Sequence, residues 1–525
     1  MPDVKKDEII IKNICKKDFW VENMKKQISN GIILSFISQI ISIVVGLTYT
    51  PLMIRILGQD EYGLYQLSQS LVNYLNLMNL GFNGAYIRYY SLAKAEGSDD
   101  DLSNINGMFM KTFLLISCLC LTVGFILTSN VSLLGNQITE SQYSTAKILM
   151  TILVINLAIS FPNSLYTAYI SANERFAFQK AVNIILNIFI PILNLPLLYL
   201  GFGSIGLVFV TLLLSVVRLL LNYVFCKAKL GYKQNLRFFD KSIFQDLFKY
   251  TFFIFLSDMV DQLNSNVDKL LLGSLMGTVP VAIYSVAYNL NNYRVILSWI
   301  VPEMYVPKVN RLIIEEKDID GTSLLFTKVG KLNNYLMILV ISGFALIGKS
   351  FIELWVGSEY YLSYYCTLVL MISGYIAAVQ TLGVNVQNAM NMHRVRSMVY
   401  FVIACINVTL SVFLIKSFGV VGTCIGTLIA SILGTGLFMN YYYKAKLGLK
   451  IGQFWKELFH WVIPAAVYFV FACFVLKGAV IHTWFMLFLI IILYSLGYFL
   501  LLWVVELDKD KRRNIKAYFQ HIKRT

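Results

Sequence analysis

Charged residues are scarce in this sequence. Only 14% of its 525 residues are Asp, Glu, Lys or Arg, whereas 57% are hydrophobic and the mean hydropathy is +0.66. Because soluble globular domains carry about 25% charged residues, this composition excludes a soluble enzyme and indicates an integral membrane protein. Apolar stretches long enough to cross a bilayer recur from residue 31 to residue 505, which leaves no room for a soluble domain of ordinary size.

The sequence also lacks the residue groupings of an active site. The four histidines are widely separated, and the sequence contains no nucleophile–base–acid set and no metal-binding cluster. The eight cysteines are scattered, and Cys118 and Cys120 are too close together for a zinc or disulfide pattern. We therefore expect a protein without catalytic residues, resident metal or cofactor.

The apolar stretches predict an all-α membrane protein with about 14 transmembrane helices, each needing about 20 mostly apolar residues. The polar, lysine-rich residues 1–30 do not resemble a cleavable signal peptide, so we expect the first span to remain in the mature protein. The predicted spans are 31–54, 63–87, 112–134, 147–171, 180–200, 204–226, 250–273, 278–304, 332–355, 364–388, 397–416, 420–443, 457–476 and 482–505.

Lys and Arg residues are distributed unevenly between the loops. Of the 44, 36 lie in the two tails and alternate loops, five lie in the opposite loops, and Arg218, Lys269 and Arg294 lie within spans. Because cytoplasmic loops carry the excess of positive charge, both termini are predicted to be cytoplasmic. The net charge of +15 then reflects orientation beside anionic lipid headgroups, so no nucleic-acid partner is expected.

The sequence contains an internal repeat. KAKLG occurs at 227–231 and again at 444–448, while FGSIG at 202–206 corresponds to FGVVG at 418–422. Since six spans are an even number, the two halves would share one orientation and be related by an axis along the membrane normal, as in some secondary transporters. The predicted regions are an N-terminal tail 1–30, a first half 31–231, a linker 232–249, a second half 250–448, an extra helix pair 449–505 and a basic tail 506–525.

Polar side chains recur on one face of four predicted helices. A shift of 219 residues places Gln39 on Asp258 and Ser42 on Asp261, so one polar face occurs twice. A charged side chain near the bilayer centre costs about 2.5–3.5 kcal/mol, so these carboxylates must face protein or water. We predict a water-filled cavity between the halves; interhelical hydrogen bonding is the simpler alternative. The predicted lining is Gln39, Ser42, Gln66, Gln69, Asn73, Asn76, Asp258, Asp261, Gln262, Ser265, Asp268, Lys269, Tyr284, Tyr288, Asn291, Asn292 and Arg294.

The charged residues of this lining suggest two kinds of ligand. Asp258 and Asp261, one turn apart, could accept a proton or a sodium ion, or could simply be solvated; both interpretations stay open, as does coupling to the membrane potential. Arg294 is our first choice for contact with an anionic substrate, and Lys269 is the second.

Four sequence stretches carry a resemblance to a known family. They are PLMIRILGQDEYGLYQLSQSL at 51–71, LGFNGAYIRYY at 80–90, NVDKLLLGSLMGTVPVAIYSVAYNL at 266–290 and FIELWVGSEYY at 351–361. With these stretches the chain resembles the polysaccharide, O-antigen and capsule flippases of the multidrug/oligosaccharidyl-lipid/polysaccharide flippase superfamily. The resemblance covers nearly the whole spanning region.

The resemblance implies a flippase that moves an undecaprenyl-diphosphate-linked oligosaccharide across a bacterial cytoplasmic membrane by alternating access. It implies a V-shaped cavity between two bundles, to which Arg55 and Arg88 would contribute cationic groups. It also implies membrane lipids, a polysaccharide polymerase and glycosyltransferases as partners. As in the lipid II flippases, the last two helices could form a groove for a lipid tail, or could pack against lipid only.

Two other functions compete with flipping. A cation-coupled drug antiporter of the multidrug-extrusion type would suit Asp258 and Asp261, although that branch usually has twelve helices and an apolar cation needs no amide-rich lining. A membrane glycosyltransferase or polymerase would be expected to carry large outer loops with catalytic residues, whereas the predicted outer loops are short.

Overall fold

The residues that the structure describes form helices joined by turns and short loops, and they contain no β-strand. The computed structural model describes residues 3–131, 139–390, 392–478 and 481–506. The α-helices are α1 (Asp3–Asn73), α2 (Phe82–Glu96), α3 (Asp99–Ser129), α4 (Glu140–Ala172), α5 (Phe176–Tyr199), α6 (Gly203–Leu230), α7 (Lys241–Met276), α8 (Thr278–Met304), α9 (Val306–Asn310), α10 (Ile319–Trp355), α11 (Tyr361–Ser373), α12 (Tyr375–Val379), α13 (Thr381–Ala389), α14 (His393–Phe418), α15 (Val420–Ser431), α16 (Asn440–Ala445), α17 (Ile451–Val475) and α18 (Trp484–Val505).

Ten helical stretches within the described residues are long and apolar enough to cross a membrane. Large apolar side chains on them are exposed: Ile463 and Phe474 of α17, for example, are 69% and 75% exposed. Such surface is stable only against lipid or a partner. The ten stretches are Ile37–Glu96, Asp99–Ser129, Glu140–Ala172, Phe176–Tyr199, Gly203–Leu230, Ile319–Trp355, Val395–Phe418, Val420–Ala445, Ile451–Val475 and Trp484–Val505. The chain is therefore a multi-pass membrane protein; fourteen spans remain a prediction.

Contacts divide the chain into two compact units, an N-terminal unit, Met1–Gln262, and a C-terminal unit, Leu263–Thr525. The N-terminal unit contains α1 to α6 and the first part of α7. The C-terminal unit contains the remainder of α7 and the helices that follow.

The repeat is visible in the backbone of both units. Gly58 interrupts α1 with φ 76° and ψ 174°, and Gly277 separates α7 from α8 with φ 90° and ψ −167°. The two glycines are 219 residues apart, the shift that aligns the sequence repeat. Only glycine adopts this conformation without steric strain, so the same residue produces the same break in each half.

Three predicted spans are interrupted. The tenth, expected to be continuous over 364–388, consists of α11, α12 and α13, with breaks at Gly374 and Gln380. The twelfth widens into a π-helix, Ile432–Met439, and the second changes to a 3-10 helix, Tyr74–Asn79, before α2. Neighbouring side chains bond the freed carbonyl groups of the tenth span, which is how irregular backbone is tolerated at membrane depth.

The first residues of the predicted linker, 232–235, bind to the surface of the N-terminal unit and are called the strap below. The Asn235 N–H donates to the Ser103 carbonyl at 2.9 Å, and Asn106 Nδ2 donates to the Lys233 carbonyl at 2.8 Å. The ring of Tyr232 packs edge-on against those of Tyr166 and Tyr169, and burial raises the pKa of its phenol above the usual value.

Gly107→Ala is expected to loosen this strap. A Cβ at Gly107 would lie 1.9 Å from the Asn235 carbonyl oxygen, a backbone atom that cannot rotate away. We expect a destabilisation of about 1–3 kcal/mol, typical of overpacking, measured as a lower midpoint of thermal unfolding in detergent. Gly84→Ala is the matched control, because a Cβ at Gly84 meets nothing within 4 Å. Equal midpoints for the two variants would contradict this account.

The terminal pair α17–α18 docks on one side of α10 through polar contacts spaced along that helix. Lys331 forms ion pairs with Glu457 at 3.7 Å and Glu506 at 3.4 Å. Further along α10, Tyr498 Oη donates to the Tyr335 carbonyl at 2.8 Å and Tyr494 Oη donates to Ser342 Oγ at 2.7 Å. The pair is thus fixed to the C-terminal unit by specific bonds as well as by apolar packing.

Candidate functional site

A buried carboxylate lies at the centre of a polar cluster in the C-terminal unit. Asp268 of α7 is 1% exposed, and Tyr284 Oη of α8 donates to its Oδ2 at 2.7 Å. Ser411 Oγ of α14 lies 3.4 Å from Oδ1, and Thr427 Oγ1 of α15 lies 3.5 Å from Oδ2. Both hydroxyls also lie 3.3 Å from Asn407 Oδ1. Four helices therefore converge several oxygen atoms on one ionisable group.

Sequence reasoning missed Asn407, Ser411 and Thr427. They lie 139 to 159 residues beyond Asp268 on spans that read as apolar, so no local spacing links them to it. Their spacing within α14 and α15 does signal a shared face: Asn407 and Ser411 are one turn apart, and so are Thr423 and Thr427.

The predicted polar stripe of α8 divides into two parts. Tyr284 is buried within the C-terminal unit, beside Asp268. Tyr288 and Asn291 are half-buried and Asn292 is exposed. Lys269, 7% exposed, has its Nζ 5.2 Å from the centroid of the Tyr288 ring, a cation–π contact.

Arg294 is buried at the break in the tenth span. Its side chain is 3% exposed; its Nε donates to Asn291 Oδ1 and its Nη1 donates to the Gly374 carbonyl, both at 3.0 Å. A Cβ on Gly374 would lie 2.2 Å from Arg294 Nη2. The guanidinium therefore lies directly over this glycine, and both oxygens that it binds are neutral.

Arg294 also lines an apolar cavity. The cavity has a volume of about 370 Å³ and lies between α8, α10, α11 and α18, all within the C-terminal unit. Its lining is Leu290, Tyr293, Arg294, Leu297, Leu339, Val340, Gly343, Phe344, Leu346, Ile347, Phe351, Met371, Ile490, Ile491, Tyr494 and Ser495. Arg294 brings a positive charge to a wall that is otherwise almost wholly apolar.

The predicted residues of the N-terminal unit occupy varied environments. Ser42 Oγ accepts a hydrogen bond from Asn187 Nδ2 of α5 at 2.9 Å, and Gln66 is 8% exposed. Gln39, Gln69 and Asn73 are half-buried, whereas Arg55, Asn76 and Arg88 are exposed. Their common orientation towards a cavity stays a prediction.

Two predicted residues of α7, Asp261 and Ser265, have side chains outside the described part of the structure. Asp258 and Gln262 are half-buried, and each takes part in an interaction. Among the described residues, no group of three or more His, Cys, Asp or Glu side chains could hold a metal ion.

Comparison with known proteins identifies the family. The model of the polysaccharide biosynthesis protein family matches residues 52–365, more than half of the chain. The chain belongs to this family. The resemblance to polysaccharide flippases seen in the sequence is thereby confirmed.

Two relatives of this polysaccharide biosynthesis protein are described. A protein of Haloferax volcanii named as the probable flippase AglR is 22% identical over 419 residues, which are 78% of this chain and 83% of that protein. The uncharacterised membrane protein EpsK of Bacillus subtilis is 21% identical over 457 residues, 82% of this chain and 87% of that protein.

Solved structures share the fold of this polysaccharide biosynthesis protein. The lipid II flippase MurJ, in an inward closed conformation, matches with a TM-score of 0.72 and 16% identity, over 90% of this chain and 97% of its own. An inward-facing MATE multidrug transporter matches with a TM-score of 0.62 and 13% identity, over 78% of this chain and 99% of its own. The chain therefore shares its fold with membrane transporters of known structure.

Proposed function

We propose that the chain flips a lipid-linked oligosaccharide across the membrane by alternating access. The observation that carries the proposal is the apolar cavity beside α18 with Arg294 in its wall. Apolar walls suit a lipid chain, and a guanidinium suits a phosphate group. The family and the likeness to MurJ over 90% of this chain support the same conclusion.

The finer features of this function rest on the sequence. The substrate would be an undecaprenyl-diphosphate-linked repeat unit destined for surface polysaccharide such as O-antigen or capsule. The chain would have fourteen spans and cytoplasmic termini, and it would lie in a bacterial cytoplasmic membrane. Polymerases and glycosyltransferases would act on the same substrate. The terminal pair α17–α18 would hold the lipid tail, since α18 lines the apolar cavity.

A coupling cation would act at Asp268. Its carboxylate can bind a proton. Together with the oxygen atoms of Asn407, Ser411 and Thr427 nearby, it also offers the hard oxygen ligands that sodium favours. Neutral hydroxyl donors offset only part of the cost of burying a carboxylate charge, and a bound cation or proton would offset the remainder. Cation binding would therefore stabilise whichever conformation buries Asp268.

A cation-coupled drug antiporter is the second candidate. The MATE-like fold and the buried Asp268 both suit it. The apolar cavity with a cationic group favours an anionic lipid over a cationic drug, because Arg294 would repel the latter.

Deleting the gene distinguishes the two candidates. Flipping predicts that lipid-linked repeat units accumulate with their glycans facing the cytoplasm, measured by extracting membrane lipids and by testing glycan accessibility in vesicles of known orientation. Complementation with the wild-type gene should restore surface glycan. Normal surface glycan together with altered drug tolerance would favour the antiporter instead.

A further inference from the structure

Two interrupted spans of the C-terminal unit meet at their irregular points. Ser431, the last residue of α15 before the π-helix, donates its Oγ hydrogen to the Ser373 carbonyl at 2.6 Å. Ser373 is the last residue of α11 before the break at Gly374. The breaks in the tenth and twelfth spans are thus joined by a hydrogen bond, so the segments beyond them can move together.

Hydrogen bonds from side chains also hold the two breaks of the tenth span, at Gly374 and Gln380, against neighbouring helices. Arg294 of α8 binds the Gly374 carbonyl, and Asn333 of α10 donates to the carbonyls of Ser298 and Ala378, both at 2.9 Å. Gln380, at the second break, donates to Asn440 Oδ1 of α16. Of these clamps, Arg294 alone also lines the apolar cavity.

Two groups can therefore compete for the Arg294 guanidinium: the Gly374 carbonyl, and an anionic group that enters the cavity. A guanidinium has five donors fixed in one plane, and here Nε and Nη1 bind neutral oxygens. A phosphate attracts the guanidinium more strongly than a neutral carbonyl does, because it carries the opposite charge and can accept two parallel hydrogen bonds. An anionic group reaching the guanidinium from the cavity would draw it away from Gly374, leaving that carbonyl and the glycine beneath it free to change conformation.

We propose that Arg294 is a positioning residue that couples a phosphate-bearing lipid in the cavity to bending of the tenth span at Gly374. This inference rests on the proposed function and adds its conformational step. While Arg294 binds the Gly374 carbonyl, α11 and α12 are held at their present angle. When phosphate takes the guanidinium, α12 and α13 bend, and the twelfth span follows through the Ser431–Ser373 bond.

The contact between Arg294 and the Gly374 carbonyl requires a glycine at this position. Any larger residue would push the guanidinium off the backbone, because the added Cβ would lie 2.2 Å from Nη2. Gly374→Ala should therefore imitate the phosphate-bound arrangement permanently. Gly452→Ala is the matched control, since Gly452 lies on α17 and a Cβ there meets nothing within 4 Å.

Hydrogen–deuterium exchange on the full chain in nanodiscs tests this coupling. The probe is farnesyl diphosphate, with farnesol as its uncharged counterpart. Farnesyl diphosphate should raise exchange in residues 375–389 by about fivefold or more, the lower end of usual coupling strengths, while farnesol should not. Arg294→Gln should remove the response, Gly374→Ala should give high exchange without probe and no further rise, and Gly452→Ala should behave as wild type.

Other outcomes of the same measurements would overturn the proposal. If wild type binds farnesyl diphosphate without a rise in exchange over 375–389, or does not bind it, the coupling is refuted. If Arg294→Gln only raises basal exchange and the probe still adds to it, Arg294 is a static clamp. Flipping is measured separately in liposomes, so flipping without an exchange response would reject the coupling alone, whereas a response without flipping would reject the proposed function.

Discussion

Asp268→Asn is expected to reduce cation-driven flipping by about 5- to 150-fold, the range that coupling free energies of about 1–3 kcal/mol produce. The amide keeps the size of the side chain and can still bond Tyr284, but it carries no charge for a cation and binds no proton. The measurement is the initial flipping rate in proteoliposomes with and without an imposed sodium or proton gradient. The variant should also lose its response to the gradient.

The same substitution should leave the fold intact. Removing a buried charge that has only neutral partners relieves a desolvation cost, so the unfolding midpoint of Asp268→Asn should equal or exceed that of wild type. Asp320→Asn is a suitable control, because Asp320 is 77% exposed in its ion pair with Lys450 and such surface pairs contribute about 0–1 kcal/mol. A variant at Asp268 that flips and responds to the gradient like wild type would exclude this cluster as the coupling site.

Gly343→Phe is expected to block the apolar cavity. Gly343 lines the cavity from α10, and the nearest atom to an added Cβ is Tyr494 Cε1 at 3.7 Å, an ordinary contact, so a larger side chain extends into the cavity without a backbone clash. Excluding three methylene groups of a lipid tail, at about 0.8 kcal/mol each, would lower the flipping rate roughly 50-fold. Thermal stability should be unchanged or higher, because the cavity is filled.

A bulky residue elsewhere on the same unit separates blocking from general disturbance. Ile463 of α17 is 69% exposed and does not line the cavity, so Ile463→Phe should flip at the wild-type rate. Wild-type flipping by Gly343→Phe would show that the lipid does not use this cavity.

The repeat and the breaks at Gly58 and Gly277 follow from local sequence. A glycine before a polar helical stretch recurs at a fixed shift, and its positive φ needs no information from elsewhere in the chain. The apolar runs identify the multi-pass membrane character for the same reason, since each run meets its own length requirement.

The remainder of the site depends on distant partners. The sequence shows that Asp268 lies in an apolar span, but Asn407, Ser411 and Thr427 come from helices far along the chain. No proline near Gly374 signals the break in the sequence. The break is held by hydrogen bonds from Arg294 and Ser431, which belong to two other helices. Helical periodicity predicts which residues share a face, whereas the helix that packs on that face is decided by tertiary structure, as the divided stripe of α8 shows.

Flipping itself is tested most directly with the purified chain in liposomes that contain a lipid-linked oligosaccharide. A membrane-impermeant glycosidase trims the glycans of the outer leaflet, and the fraction trimmed is followed over time. Our account predicts that protein-containing liposomes expose nearly all glycans, that protein-free liposomes expose only about half, and that Gly343→Phe exposes the remaining half roughly 50-fold more slowly than wild type. Equal fractions in wild-type and protein-free liposomes, at the same lipid composition and gradient, would contradict it.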